Sequence, residues 1–201
     1  MTIATREEWL SRSLPALKSI ILSAGGPDFA APLISIGFPS RNALSKHKQR
    51  IGEYWSKRCT DTGQPTIMVS PVIENVVEVL ATLLHELVHA SVGAECGHRG
   101  AFKRVATAAG LVGKMTATAA SPTLAQALHD IAESIGSFPH VKLNAQAIED
   151  ERKKQKTRMR LYECNKCNQK IRCASDTLSA IHIGDNGEMC GIFVLQAPDE
   201  D

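Results

Sequence analysis

The segment His85-Glu86-Leu87-Val88-His89 limits what this chain can be more than any other part of it. Residues four apart on an α-helix lie on the same face, with their Cβ atoms about 5–6 Å apart. The imidazoles of His85 and His89 can therefore bind one Zn²⁺ ion, with bonds of roughly 2.0–2.1 Å. Glu86 points to the neighbouring side of the helix, where it can accept a proton from a zinc-bound water without binding the metal. The spacing predicts two metal ligands and a general base on one helix.

The alternative is a solvent-facing polar stripe that has this pattern by chance. The residues around it argue against that interpretation because they are strongly apolar. They are Ile73, Val76, Val77, Leu80, Leu83, Leu84, Leu87 and Val88. A helix of this composition packs into a core, and buried imidazole and carboxylate groups need partners there. A metal ion is such a partner.

Length and composition set wider bounds. The 201 residues are enough for one domain with a small appendage. Hydrophobic residues make up 43% and aromatic residues 4%, which predicts a mainly aliphatic core. The net charge of +2 is small, but local charge governs binding partners better than the total. Residues 1–22 do not resemble a signal peptide and there is no apolar run of 18 residues, so we expect a cytoplasmic protein that does not enter a membrane.

Local signals predict an α+β chain. A capping-box pattern at Thr5 and Glu8 opens a first helix, which Pro15 is expected to kink or divide. Three strand-like segments predict a small antiparallel sheet before the metal helix, which itself is expected to begin at Ser70-Pro71 and stop near Gly93. The segments are 33–38, 50–55 and 66–70. Two further helices are predicted at about 100–109 and, capped by Ser121-Pro122, at 122–135.

A catalytic zinc usually has three protein ligands and one open position. The nearby candidates after the second histidine are Glu95, Cys96 and His98. The metzincin pattern is excluded because it needs glycine and histidine at the positions of Val92 and Glu95. His98 follows a turn that can double back towards the metal, which makes it the preferred candidate of the three.

The residues His85-Glu86-x-x-His89-Ala90, followed by His98-Arg99-Gly100-Ala101-Phe102-Lys103, resemble the SprT-like metalloprotease family, which includes the Spartan proteases. The resemblance covers about residues 33–195 and is strongest for the small versions found in phage genomes. It implies that His98, four residues before Phe102, is the third ligand. It also implies a compact zincin-like (minigluzincin-type) domain over 1–145, a basic linker over 146–160 and a zinc-ribbon-like β module over 161–201.

The same resemblance implies zinc-dependent peptide hydrolysis with Glu86 as the catalytic base, an extended substrate that pairs with a sheet edge, and substrate proteins attached to DNA. Candidates for stabilising the oxyanion are Tyr54, His47 and His140. The rival hypothesis is a nucleic-acid-binding module in which the zinc of the H-E-x-x-H motif only holds the fold.

A run of basic residues lies between the two predicted domains. Its members are Arg152, Lys153, Lys154, Lys156, Arg158 and Arg160. Because lysine and arginine neutralise phosphates, this segment predicts sequence-independent binding of nucleic acid. The alternative is a solvated linker without a partner.

The cysteines near the C-terminus predict a second, structural zinc. Four of the six cysteines cluster there, and without a secretion signal metal binding is more common than disulfide formation. Cys164 and Cys167 have the spacing of a zinc knuckle, and Cys190 resembles the end of the second knuckle of the SprT-like ribbon. That family has a further cysteine before its last one, whereas residues 185–189 contain none. The site is therefore either completed elsewhere, by Cys173 or His182, or degenerate, and the alternative is a metal-free β-hairpin with ordinary thiols. We predict His182 as the fourth ligand because an extended strand carries Cys173 away from the first knuckle.

Overall fold

A computed structural model describes residues 5–45, 47–144, 147 and 159–196. The chain divides into two compact units, 1–148 and 149–201, and each is described by itself. The described residues form four α-helices and several small sheets, so the predicted α+β class is confirmed. The predicted linker 146–160 falls almost entirely outside the described residues, and the roles assigned to the predicted domains stay predictions.

The first helix, α1 (Arg6–Ser23), begins where the capping box predicts. The Thr5 hydroxyl accepts a hydrogen bond from the Glu8 backbone N–H at 3.1 Å. Pro15 lies inside this helix without dividing it, so that part of the prediction is wrong. The physical reason is packing, because fully buried side chains on both sides of Pro15 hold the two halves in one core. They are Trp9, Leu10, Leu17 and Ile21.

Three short strands form the first sheet: β1 (Leu33–Ile36), β2 (Gly52–Trp55) and β3 (Thr66–Val69), in the order β1-β3-β2. β2 pairs with β3 in antiparallel fashion, but β1 runs parallel to β3. The prediction of a purely antiparallel sheet is therefore wrong. The connection from residue 37 to residue 51 is long enough to carry the chain from one edge of β3 to the other, which a tight hairpin cannot do. β2 is left as an edge strand.

The metal-motif helix α2 (Val76–Val92) is the centre of the first unit. It begins at Asn75, whose side chain accepts hydrogen bonds from the N–H groups of Val77 and Glu78 at 3.0 and 3.1 Å. The predicted start at Ser70-Pro71 is wrong because the Ser70 N–H donates instead to the Ile51 carbonyl, at 2.8 Å, beside the sheet. All residues from 79 to 89 are buried, and the helix contacts the other three helices, β2, β3 and the later strand β5.

The remainder of the first unit surrounds α2. It consists of α3 (Gly100–Ala108), a hairpin of β4 (Leu111–Lys114) and β5 (Ala117–Ala120), and α4 (Pro122–Ile135). Ser121 caps α4 as predicted, accepting a hydrogen bond from the Leu124 N–H at 3.2 Å. The hairpin has no counterpart among the predictions.

The second unit is a four-stranded antiparallel sheet in the order β7-β6-β9-β8. Its strands are β6 (Arg160–Cys164), β7 (Lys170–Cys173), β8 (Ile181–Ile183) and β9 (Met189–Leu195). No helix among the described residues of either unit combines the length and the apolar character that crossing a bilayer requires.

Replacing Leu80, which is fully buried in α2, tests the role of this helix in the core. We expect Leu80→Ala to lower the free energy of unfolding by about 2–5 kcal/mol, because it leaves a cavity where the core cannot fully close. Leu22→Ala is the matched control, since Leu22 is 42% exposed in α1 and should cost less than about 1 kcal/mol. Urea denaturation of the full chain without metal measures both, and equal losses would contradict the central place of α2.

Candidate active site

Three imidazoles meet at the surface of α2. His85 and His89 are 9% and 8% exposed, one turn apart on the same face of the helix. His98, on the turn between α2 and α3, directs its ring towards both. Its Nε2 atom lies 3.1 Å from Nε2 of His85 and 3.3 Å from Nε2 of His89. The three side chains form a group that could hold a metal ion.

These distances fit a shared cation better than they fit hydrogen bonds between the rings. A tetrahedral metal with bonds of roughly 2.0–2.1 Å keeps its ligand nitrogens about 3.3 Å apart. The His98 Nε2 atom carries either one proton or one lone pair, so it can form only one of its two short contacts as an ordinary hydrogen bond. A cation accepts the lone pairs of all three rings at once. The residues present therefore fit a bound metal.

Burial keeps these imidazoles neutral, as metal binding requires. Burial, and secondarily the charge of neighbouring histidines, lowers the pKa of His85 to about 4 and that of His89 to about 3. The pKa of His98 is also lowered, mainly by burial and secondarily by the charge of Arg50.

Glycines allow the chain to bring His98 back to the helix. Gly93 ends α2 with φ of 92°, and Gly97 has φ of 51°, both in the left-handed region that favours glycine. The other two candidates for the third ligand do not join the group. Glu95 is exposed, and the Cys96 thiol donates to the Val92 carbonyl at 3.4 Å.

Two contacts outside the predicted set hold the imidazoles in place. The buried Phe102 ring packs against all three, with centroid distances of 4.9 Å to His85, 4.2 Å to His89 and 5.0 Å to His98. Thr118 Oγ1, on β5, lies 2.9 Å from Nδ1 of His85. When that nitrogen donates to Thr118, the Nε2 lone pair is left for the metal. Thr118 lies on the unpredicted hairpin, and no sequence signal identifies it.

Glu86 lies beside the histidines and is 7% exposed. Burial raises its pKa to about 8, against the lowering effects of the Arg50 charge and of a hydrogen bond from the Tyr54 backbone. Strand β2 approaches this carboxylate at Gly52, where an added Cβ would lie 2.6 Å from Oε1 of Glu86 and 2.8 Å from Cγ2 of Thr82. Only glycine allows this approach, so Gly52 fixes the distance between the edge strand and Glu86.

An open cleft of about 260 Å³ lies over this group. It is lined by Arg50, Gly52, Glu53, Tyr54, Glu86, His89, Ala94, Gly97 and His98. Tyr54 is therefore in the cleft, where its ring stacks on His89 with 6.5 Å between centroids. The other two candidates for stabilising an oxyanion, His47 and His140, do not line it. His140 instead contacts Arg6, with 3.1 Å between Nδ1 and Nη1.

A second group lies in the C-terminal unit, where Cys164, Cys167, His182 and Cys190 come together. The Sγ atoms of Cys164 and Cys190 are 4.0 Å apart, and Nδ1 of His182 is 3.1 Å from Sγ of Cys167. A tetrahedral zinc with Zn–S bonds of about 2.3 Å places two sulfurs about 3.8 Å apart. The donor set and its spacing therefore fit a metal. Cys173 does not join the group: it pairs with Arg160 across the sheet, and the Ser175 N–H donates to its sulfur at 3.4 Å.

The environment of these thiols also favours a cation. The backbone N–H groups of Cys167 and Lys166 lower the pKa of Cys164 to about 6, whereas contact with the Cys167 thiol raises the pKa of Cys190 to about 11. A cation between these sulfurs would offset the repulsion that keeps Cys190 protonated beside Cys164. Gly191 is required here, because an added Cβ would lie 2.9 Å from Sγ of Cys164.

The predicted nucleic-acid-binding segment is mostly outside the described residues, including Arg152, Lys153, Lys154, Lys156 and Arg158. Arg160 is described at the start of β6, where its guanidinium forms an ion pair with Asp176. An exposed group on α4 (His129, Asp130 and Glu133) has the acidic, solvated character that is common without a metal.

Comparisons with protein-family profiles, curated proteins and solved structures gave no significant match to this chain. The described residues define the class of protein by two groups that could each bind a metal ion. One consists of three histidines, and the other of three cysteines and a histidine. Its function is inferred from the geometry of the first group.

Replacing His98 tests the composition of the first group. We expect His98→Ala to weaken zinc binding at this site at least 100-fold, because two imidazoles remain where three converged. Glu95→Ala is the matched control, on the same turn but outside the group, and should leave zinc affinity unchanged. Competition with a chromophoric chelator measures both variants, and release of zinc by Glu95→Ala but not by His98→Ala would refute the assignment.

Replacing His182 tests the second group. We expect His182→Ala to lower the zinc content from two ions to one per chain and to make Cys164 and Cys167 reactive with thiol reagents, because three donors hold the ion less well than four. Cys173→Ser should leave two ions bound. Elemental analysis of the purified full chain measures the content, and loss of zinc only from Cys173→Ser would show that the wrong fourth ligand was chosen.

Proposed function

We propose that this protein is a zinc-dependent metallopeptidase of the SprT-like kind, with a compact zincin-like first unit. The observation that carries the proposal is the buried carboxylate of Glu86 next to three converging imidazoles, at the floor of an open cleft. A purely structural zinc site has four protein ligands, and it does not need a carboxyl group beside them. Here three imidazoles converge, and Glu86 lines the same cleft as His89 and His98.

His85, His89 and His98 would hold the ion. When bound, zinc lowers the pKa of its water towards 7 and polarises the scissile carbonyl. In its ionised form Glu86 accepts the proton of the attacking water, and the resulting carboxylic acid delivers that proton to the leaving amine. Its buried position against Gly52 keeps it in one orientation for both transfers.

Strand β2 would position the substrate. It is one of the two edge strands of its sheet, and three of its residues, Gly52, Glu53 and Tyr54, line the cleft beside Glu86. An extended peptide can add to such an edge through main-chain hydrogen bonds, which places a peptide bond over the metal group independently of its side chains. Tyr54 is the favoured donor to a developing oxyanion, because it alone of the three candidates lies in the cleft.

The second unit would be a zinc-ribbon-like module with a structural zinc on Cys164, Cys167, His182 and Cys190. Together with the basic segment 152–160, it would bring the peptidase to nucleic acid, so that the substrates are proteins attached to DNA or RNA. The proposed place of action is the cytoplasm.

Glu86→Gln tests the proposal. We expect the variant to bind zinc at the first site and to unfold like the wild type, but to lose at least 1,000-fold in proteolysis, because the amide cannot accept a proton. Zinc content, thermal unfolding and cleavage of a DNA-bound protein substrate or of the chain itself are measured in parallel. Glu95→Gln is the matched control and should cleave normally. If the wild type cleaves nothing while wild type and Glu86→Gln bind nucleic acid alike, the non-catalytic binding module is the correct function.

A further inference from the structure

Arg50 is a cation in the cleft that the proposed chemistry does not use. It precedes β2 and lines the cleft with Glu86, His89 and His98. Its charge lowers the pKa values of both Glu86 and His98, which places the guanidinium near the reacting groups. It is the one permanently charged cation among the lining residues that the structure describes.

Glu53 holds this guanidinium in place. The Glu53 side chain is only 10% exposed and forms an ion pair with Nη1 of Arg50. The Ser40 N–H and hydroxyl each donate to the same carboxylate at 2.8 Å. These hydrogen bonds outweigh the cost of burial and lower the pKa of Glu53, so that it stays charged. The anchor fixes the position of Arg50 before any ligand arrives.

Most of the donors of Arg50 stay available. A guanidinium has five N–H groups, and within the described residues only Nη1 has a side-chain partner. The Arg50 side chain is 45% exposed, so the remaining donors can reach a ligand in the cleft. A planar fork of this kind matches a carboxylate, which accepts two parallel hydrogen bonds.

The chain segments next to the cleft-lining residues also carry exposed cations. Exposed basic residues without an ion pair lie in the sequence before and after β2 and directly after His98. They are Arg41, Lys48, Lys57, Arg58, Arg99, Lys103 and Arg104. None of them forms an ion pair in the described part of the chain. The net charge of +2 does not show this excess of cations along the two segments.

We propose that Arg50 is a specificity-determining residue that binds a carboxylate of the peptide substrate beside the scissile bond. The inference rests on the proposed peptidase function, since it takes the ligand of the cleft to be a peptide. The carboxylate comes either from an Asp or Glu side chain or from the C-terminus of the peptide. The first source makes the protein an endopeptidase selective for acidic sequences, and the second makes it a carboxypeptidase.

Binding is measured without turnover, on zinc-loaded Glu86→Gln. The probes are four peptides of one length with an uncharged N-terminal dansyl label. Three are C-terminal amides that differ only in a central Asp, Asn or Lys, and the fourth is the Asn peptide with a free C-terminal carboxylate. We expect one carboxylate peptide to bind about fivefold more tightly than the Asn amide, as for a partly solvated charged hydrogen bond. The Asp amide identifies a side-chain carboxylate, and the free acid identifies the C-terminal one.

Adding Arg50→Gln should abolish that preference, whereas Lys48→Gln should keep it. The control removes an exposed cation from the same segment that does not line the cleft. Equal binding of all four peptides, no binding of any, or a preference that survives Arg50→Gln would overturn the inference. The inference would also be overturned if an equimolar single-stranded oligonucleotide displaced the peptide and Arg50→Gln prevented this displacement. Phosphate would then be the ligand of Arg50.

Cleavage of the same peptides by the zinc-loaded wild type separates this inference from the proposed function. Efficient cleavage without any charge preference refutes the role of Arg50 and leaves the peptidase intact. A preference in binding that Arg50→Gln removes, with no cleavage of any peptide or protein, refutes the peptidase and leaves carboxylate recognition intact. Relative to the Asn amide, Arg50→Gln should also raise KM for the preferred peptide about fivefold, as loss of a binding contact requires.

Discussion

The structure depends on the burial of one helix that carries polar groups into the core. Residues 79–89 of α2 are all buried, and His85, Glu86 and His89 are among them. Burying uncompensated imidazoles and a carboxylate is costly, so the surrounding elements must supply partners. Phe102, Thr118 and Gly52 come from three different parts of the chain, and each contacts one or more of these groups. The apolar faces of α2 hold the fold together, while its polar face holds the site.

The two candidate metal groups solve the same problem in different ways. In the first unit the ligands are carried by a rigid helix and one returning turn, and one side stays open to a cleft. In the second unit the four donors come from the end of β6, the turn that follows it, β8 and β9, and Cys164 is fully buried. An open group of three suits chemistry, and a closed group of four suits stability. This contrast supports separate roles for the two units, one catalytic and one structural.

The charged groups of the cleft also differ from the net charge of the chain. The cleft contains an acid that can exchange protons, neutral imidazoles and one anchored cation, and unpaired cations follow the chain on both sides of it. The cleft also contains the acidic residue Glu53, but its carboxylate is paired with Arg50 and accepts two hydrogen bonds from Ser40. The nearly neutral total charge therefore does not show that the cleft holds a fixed cation.

The sequence by itself determined the elements with strong local signals: the capping box at Thr5, the end of α2 at Gly93, α4 behind Ser121, and the ligand spacing within His85–His89 and Cys164–Cys167. These follow from backbone geometry over a few residues, which a short pattern encodes. The tertiary structure alone decided the start of α2 at Asn75, the parallel pairing of β1, the β4–β5 hairpin, and the neighbours Gly52, Thr118 and Arg50. Those depend on which distant segments pack together. Burial of the whole core decides which of two possible caps starts a helix and where a strand comes close to it. A pattern of a few residues does not encode either outcome.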